Sequence, residues 1–352
     1  MRHFNTYILP CCGSWMEYSI LSQKVSDYIR ASVAQISDGG ISEGEVDTDF
    51  GSVLAFLKPC PALSADTLSY LTEQSAAVLM SKGEVLAVYG AASDVKEALE
   101  HEDYSSFDAV ETPPGDAAYV HDTESAFKAQ ELLRERINMQ HLKNGVMLLS
   151  PQTTHIAPDA VIGSGTVILP GCLIYSGTVI GSDCRIGPNC LLEQAVIGDR
   201  TSVNETQMKE STVGCDSTVG PFCWIRPGCQ VGDNVRLGDF VELKKAVIGN
   251  GTKVSHLTYI GDAEFGRHIN VGCGTVVVNY DGKGKYKTTV GDNSFIGCNV
   301  NLVSPVNIGS DTFIAAGSTI TDDVEDGAFA IARSRQEVKP GWVKKRRESG
   351  KL

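Results

Sequence analysis

His256 stands in the run S-H-L-T-Y, between a cationic cluster upstream and a basic loop downstream. Upstream are Arg226 in W-I-R-P-G and the pair Lys244 and Lys245 beside Glu242. Downstream is N-Y-D-G-K-G-K-Y-K at 279–287, which carries Lys285. A neutral imidazole, with a reference pKa of about 6.5, is the side chain suited to accept a proton near neutral pH. A guanidinium and two ammonium groups that meet at one point hold a phosphate. Set against this, a lone histidine is more often a packing residue, and a charge run is more often a solvated face. General-base chemistry on a phosphorylated substrate therefore needs a scaffold that brings Arg226, Lys244 and Lys285 together.

That scaffold is written as a six-residue beat. An aliphatic returns at Ile156, Ile162, Ile168, Ile174, Ile180, Ile186 and Leu192, then at Val213, Val219, Ile225, Val231, Leu237 and Leu243. After slips of phase come Ile248, Val254, Ile260, Phe265, Val271 and Val277, and then Val290, Ile296, Leu302, Ile308, Ile314 and Ile320. A period of six fits neither a helix at 3.6 nor a single strand at 2; it belongs to hexapeptide solenoids. Three short strands per coil, each turning its aliphatic inward, predict a triangular parallel β-helix. Counting in sixes puts the cationic residues on neighbouring coils, and the 279–287 insertion protrudes between two coils as a natural lid.

The remaining composition narrows the function classes. Eleven cysteines contain no C-x-x-C pair, and Cys172, Cys184, Cys190, Cys223 and Cys229 each precede a ladder aliphatic by two residues. They read as small packing residues and free thiols rather than as a metal or disulfide set. A β-helix hydratase would need three metal-binding histidines, and His256 and His268 have no third partner at a suitable spacing. No metal is expected. The formal charge of −13 argues against general nucleic-acid binding. No apolar run approaches a membrane span, and a basic-then-apolar leader is absent, so the expected location is cytoplasmic.

Ahead of the repeat, alternating signals predict a small α/β unit. They are a short strand at 7–10, an amphipathic helix over 19–36, a strand at 53–57, a capped helix from Ser64, a hairpin through 81–83 and a helix over 93–101. A longer helix over 122–143 has Asp122 and Thr123 as caps and a stripe of Phe127, Leu132, Leu133, Ile137 and Leu142. Beyond Ile320 the pattern predicts a last strand within 328–335 and a polar tail.

Five runs carry a resemblance: G-P-F-C-W-I-R-P-G (220–228), G-D-F-V-E-L-K-K-A (238–246), S-H-L-T-Y-I-G-D-A (255–263), N-Y-D-G (279–282) and I-A-A-G-S-T-I (314–320). From about 119 to 342 the chain resembles the acetyltransferase half of a bacterial bifunctional family. Those enzymes join glucosamine-1-phosphate N-acetyltransferase to UDP-N-acetylglucosamine pyrophosphorylase. The resemblance implies a left-handed parallel β-helix, assembled as a homotrimer with the active site shared between subunits. It implies that His256 takes the amine proton as glucosamine 1-phosphate attacks the thioester of acetyl-CoA. Arg226, Lys244, Tyr259, Asn270 and Lys285 would hold the sugar phosphate. On the coenzyme side it implies Asn279, Tyr280, Cys273, Cys298, Ala316 and Arg333, with Cys298, Ala316 and Arg333 supplied by a neighbouring subunit. The family usually has alanine at Cys273 and serine at Cys298.

The N-terminal part departs further. Where the family has a glycine-rich L-A-A-G-x-G-T-R-M loop for nucleotide phosphates, residues 9–16 read L-P-C-C-G-S-W-M. Pro10 lacks an N–H donor and Trp15 is bulky where backbone should approach phosphate. The carboxylate of the metal-binding G-D-x-P-L run is replaced by Pro59. The expected organisation is a shortened, degenerate nucleotidyltransferase-like α/β domain over 1–118, a connecting helix over 119–150, the β-helix acetyltransferase domain over 151–335 and a tail over 336–352. Uridylyltransferase activity and Mg²⁺ binding are not expected. The competing readings are acetyl transfer to another amino-sugar phosphate and a non-catalytic scaffold or sensor.

Overall fold

The computed structural model describes residues 2–352. The chain divides into two compact units, one ending at Gln194 and one running from Ala195 to Leu352.

The first unit opens with a six-stranded mixed sheet. Its strands are β1 (Asn5–Ile8), β2 (Ile41–Glu43), β3 (Ser52–Phe56), β4 (Ala77–Ser81), β5 (Glu84–Ala91) and β6 (Asp108–Glu111), in the order β2-β1-β3-β5-β4-β6. β1 runs parallel to β2 and β3, β5 is antiparallel to both neighbours, and β6 is parallel to β4. Period-two alternation sends Phe4, Ile8, Leu54 and Phe56 into one apolar layer and Tyr7, Val53, Ala55 and Val88 into the other. Helices α1 (Val25–Ala34), α2 (Ala65–Leu71) and α3 (Ala92–His101) complete the domain, and Ser64 caps α2 by accepting from the Thr67 N–H.

Two expectations need correction here. The helix over 19–36 shrinks to α1, because Ser19–Ile20 and Gln23–Lys24 pair as a tight hairpin with Leu21 and Ser22 at φ 48° and 67°. Helix α4 (Thr123–Lys143) forms with Asp122 as its cap, but its buried face takes only the middle of the apolar stripe, Leu133 with Ile137 packed beside it. Phe127 and Leu142 are exposed, whereas Ala126, Ala129, Leu133, Arg134, Asn138 and His141 are buried. The reason is hydrogen bonding. Arg134 donates to the Pro151 carbonyl at 2.6 Å, and Asn138 Nδ2 donates to the Pro151 and Thr154 carbonyls at 2.9 and 3.1 Å. At about 0.5–1.5 kcal/mol each, and more for the charged donor, these bonds fasten α4 to the first coil through polar groups.

The coils of this unit repeat every eighteen residues: Ile156 pairs with Ile174, Ile162 with Ile180 and Ile168 with Ile186, all in parallel register. Three hexads per turn thus give three flat faces. The ladder aliphatics are buried, each contributing about 1.5–3 kcal/mol of apolar transfer.

The second unit continues the same construction by itself. Val213 pairs with Val231 and Val219 with Leu237, eighteen apart. The phase slips are coils of seventeen, where Leu237 pairs with Val254 and Leu243 with Ile260 inside two thirteen-residue strands, Arg236–Ile248 and Lys253–Phe265. Val271 pairs with Ile296 and Val277 with Leu302, twenty-five apart, so the insertion at 279–287 is accommodated as a loop without disturbing the ladder. The strand expected within 328–335 is only Phe329–Ala330, followed by an exposed tail and the short helix α5 (Trp342–Glu348). The five ladder-associated cysteines are buried. Among the described residues no helix is long and apolar enough to cross a membrane, and no three His, Cys, Asp or Glu side chains gather as a metal site.

Candidate active site on two corners of the coil

His256 lies where the strand Lys253–Phe265 rounds a corner between two faces. The preceding coil sets Asp239 in register with it. Asp239 Oδ1 and His256 Nδ1 are 2.7 Å apart, and the hydrogen bond with His256 holds the Asp239 carboxyl below its ordinary range. The Asp239 carboxylate is therefore the acceptor and Nδ1–H the donor, and in that tautomer Nε2 is the acceptor atom of the ring. The His256 side chain is 56% exposed, so Nε2 is open to a substrate. Sequence reasoning missed Asp239; the signal was its place one coil before His256 in the G-D-F run.

The same corner position continues along the solenoid as Cys273, Cys298 and Ala316. Their register follows from the flanking ladders, Val254 with Val271, Val271 with Ile296 and Ile296 with Ile314. Backbone bonds join successive corners: Gly274 N–H to the Leu257 carbonyl, Asn299 N–H to Cys273 and Gly317 N–H to Cys298, at 2.9, 2.7 and 2.8 Å. Both thiols are exposed. With strands about 4.8 Å apart, His256 to Ala316 spans roughly 14 Å of exposed corner. Arg333 follows at its end, its Cδ 3.6 Å from where a Cβ on Gly317 would stand.

Three of the five expected phosphate ligands, Arg226, Lys244 and Lys285, gather at the next corner, beyond the face that carries Tyr259. Arg226 Nη1 bonds Glu242 Oε1 at 3.0 Å, and its guanidinium lies 4.5 Å above the Trp224 ring. Lys244 Nζ is 3.3 Å from Asp262 Oδ2, which also accepts from Asn279 Nδ2 at 2.5 Å. A Cβ on Gly261 would come within 2.3 Å of the Tyr259 hydroxyl and 2.9 Å of Asn279 Nδ2, so only glycine lets these groups close over the corner. The loop returns through a bridge between Tyr280 and Lys285.

Lys285 lies beside Lys244. Contact with Lys244 holds Lys285 below the ordinary lysine range, while Lys244, beside Lys285 and Asp262, is held above it. Two ammonium groups side by side repel each other, a repulsion that an arriving anion would relieve.

The structure thus brings Arg226, Lys244, Tyr259 and Lys285 together, and Asn279 and Tyr280 stand with them rather than with Cys273, Cys298 and Ala316. Asn270 is exposed on another face, in register with Lys253 and Phe295. His256 and Gly261, at the cationic corner, are five residues apart along one strand, up to about 17 Å. Within one chain the two corners are therefore separate.

Comparison with known proteins agrees with this architecture. Residues 150–248 match the GMPPB C-terminal domain family, and 287–322 match the bacterial transferase hexapeptide family of six repeats. The fold is the left-handed parallel β-helix of hexapeptide repeats. The "Bifunctional protein GlmU" of Thermoanaerobacter pseudethanolicus is 49% identical over 244 residues, covering 69% of this chain and 53% of that protein. The chain is homologous to the GlmU proteins over that length. The GlmU of Clostridium acetobutylicum is 50% identical, covering 72% of this chain and 56% of its own. The chain therefore spans about half the length of the GlmU relatives it matches. Among solved structures, an Arabidopsis UDP-N-acetylglucosamine acyltransferase is 19% identical with a TM-score of 0.34, covering 57% of this chain and 77% of that one.

Proposed function

We propose that the chain transfers acetyl from acetyl-CoA to the amine of glucosamine 1-phosphate, giving N-acetylglucosamine 1-phosphate for UDP-N-acetylglucosamine synthesis. The observation that carries this reading is the Asp239–His256 hydrogen bond, 2.7 Å long, at the head of an open column of small residues. Asp239 fixes the tautomer and orientation of the ring. His256 Nε2 accepts a proton from the attacking amine and, once charged, can return one to the departing sulfur. Exposed backbone along Cys273, Cys298 and Ala316 offers N–H groups for the carbonyl oxygen, and these residues with Arg333 fit an extended coenzyme. Arg226, Lys244, Tyr259 and Lys285 fit the phosphate, with Asn279 and Tyr280 beside the sugar.

The reading includes a homotrimer in which the cationic corner of one copy meets the His256 column of the next. Cys298 and Ala316 belong to His256's own corner, so the neighbour would contribute the phosphate ligands instead. Phe222, Phe240 and Leu257 run beside the imidazole column and are each more than half exposed, as an unmade interface would be. Residues 1–118 fit a degenerate nucleotidyltransferase-like domain without uridylyltransferase activity, 119–150 its connector, 151–335 the acetyltransferase domain and 336–352 a tail. A cavity of about 520 Å³ past the ends of β1 and β3 is lined by Pro10, Cys11, Lys58 and Glu45 among others, without the glycine loop a triphosphate needs.

The test is thiol release from acetyl-CoA with glucosamine 1-phosphate, glucosamine 6-phosphate, other aminohexose phosphates or no sugar. Turnover confined to the 1-phosphate is expected. Preference for another amino-sugar phosphate would move the substrate assignment, and no turnover with any of them would favour a sensor. A parallel titration with UTP and Mg²⁺ should show no tight binding.

A further inference from the structure

Asp262 is out of place at an anion site. Its side chain is 19% exposed, and Oδ2 lies against Lys244, one of the cations expected to meet the phosphate. A carboxylate there repels an arriving dianion and ties up one of its ligands, so simple electrostatics argues against it. Its contacts supply a compensating role. The same oxygen that takes Lys244 Nζ at 3.3 Å takes Asn279 Nδ2 at 2.5 Å, and Asn279 is only 7% exposed. Asn279 is the first residue of the protruding loop, and its carbonyl accepts the Tyr286 N–H at 2.9 Å, which closes the loop upon itself. The Tyr280–Lys285 bridge lies inside that closure. Asp262 has φ 50°, a left-handed conformation that Asp and Asn tolerate better than other residues with side chains.

We infer that Asp262 is a positioning residue: one carboxylate oxygen, shared by two donors, that anchors the 279–287 loop through Asn279 and aims Lys244, so that Lys244 and Lys285 face a common anion. This deepens the proposed reading of that corner as a phosphate site and rests on it. Asp262 touches no substrate; it works through the two side chains it holds. The geometry separates this role from a pure charge effect, because the two predict opposite signs. If the carboxylate acted by charge alone, removing it would tighten anion binding. If it acts as a shared acceptor, removing the oxygen loosens binding, and the neutral isostere that keeps the oxygen largely restores it.

The experiment compares Asp262→Ala with Asp262→Asn in the full chain. Calorimetric titration with inorganic phosphate at low salt is measured alongside the KM values for glucosamine 1-phosphate and acetyl-CoA. Losing two hydrogen bonds to one acceptor, one of them charged, predicts phosphate binding and sugar KM worse by about tenfold or more in the Ala variant. The acetyl-CoA KM should stay within about twofold, because the coenzyme column lies on the other corner. The Asn variant should lie within about threefold of wild type, since its amide oxygen remains an acceptor. Unchanged or tighter phosphate binding by Asp262→Ala overturns the inference, as does equal loss in both variants. Should the Ala variant not fold, Asn279→Leu removes the donor and leaves the carboxylate, and an unchanged sugar KM there overturns it equally. If wild type fails to turn over the sugar while Asp262→Ala still loosens phosphate, the functional reading falls and the inference stands. If wild type is active and Asp262→Ala is unaltered, the reverse holds.

Discussion

Two corners of the same coils are built by different means. At the His256 corner, one residue per coil is stacked in register, Asp239, His256, Cys273, Cys298 and Ala316, so neighbours differ by one strand spacing and the chemistry runs along the axis. At the cationic corner, side chains from separate coils are tied across by ion pairs, Arg226 to Glu242 and Lys244 to Asp262, with the inserted loop folded over them. The first arrangement suits an extended ligand and a single proton transfer. The second suits a compact anion whose charge must be matched from several sides. A regular solenoid can carry a column without altering its ladder, whereas a cage of convergent charges needs the insertion.

Breaking the first corner should cost most. His256→Ala should lower kcat by about 10²–10⁴, the range for a positioned general base, with an unchanged melting temperature because the side chain is exposed. Activity within a few-fold of wild type would remove His256 from the chemistry. Breaking the second corner should act on binding instead. Arg226→Ala with Lys244→Ala should raise the glucosamine 1-phosphate KM by about 10–100-fold, from lost charge-assisted hydrogen bonds, and leave the acetyl-CoA KM nearly unaltered.

A pH series sharpens the contrast. Lys285 is held below the ordinary lysine range by its contact with Lys244, so it is charged at low pH and loses its proton earlier than an isolated lysine as pH rises. Sugar-phosphate affinity should therefore weaken at lower alkaline pH than an ordinary lysine would dictate. Lys285→Arg, which stays charged, should abolish that weakening while leaving the acetyl-CoA KM profile as it was. The smallest effect concerns the thiols. Cys273 and Cys298 are exposed, and acetyl-CoA should slow their alkylation several-fold, measured by peptide mass, whereas inorganic phosphate should not.

Much of this was legible from residue order. The six-residue beat specifies the three-sided coil because inward aliphatics must recur once per face, and the slips of phase at Ile248 and Phe265 mark seventeen-residue coils. The convergence of Arg226, Lys244 and Lys285 followed from counting coils. What counting by sixes does not reveal is which corner a residue occupies once strands bend through corners. Asn279 and Tyr280 accordingly fall with the cations, and Asn270 falls on a separate face. Asp239 and Asp262 were missed for one reason: acidic corner residues recur throughout the solenoid, as at Asp183, Asp216 and Asp311, and it is the partners, His256 for one and Lys244 with Asn279 for the other, that set these two apart. In α4 the expected stripe keeps Leu133 and Ile137 but shares the buried face with Arg134 and Asn138, since polar groups facing the open end of a coil find carbonyls that leucine could not satisfy.

Subunit mixing tests most directly the proposal that the imidazole corner of one copy works with the cationic corner of another. His256→Ala chains and chains carrying both Arg226→Ala and Lys244→Ala are each nearly inactive alone at low sugar concentration. After co-expression and isolation of mixed oligomers, activity should return, because some sites pair an intact imidazole corner with an intact cationic corner. Mixed oligomers no more active than their parents would contradict the account.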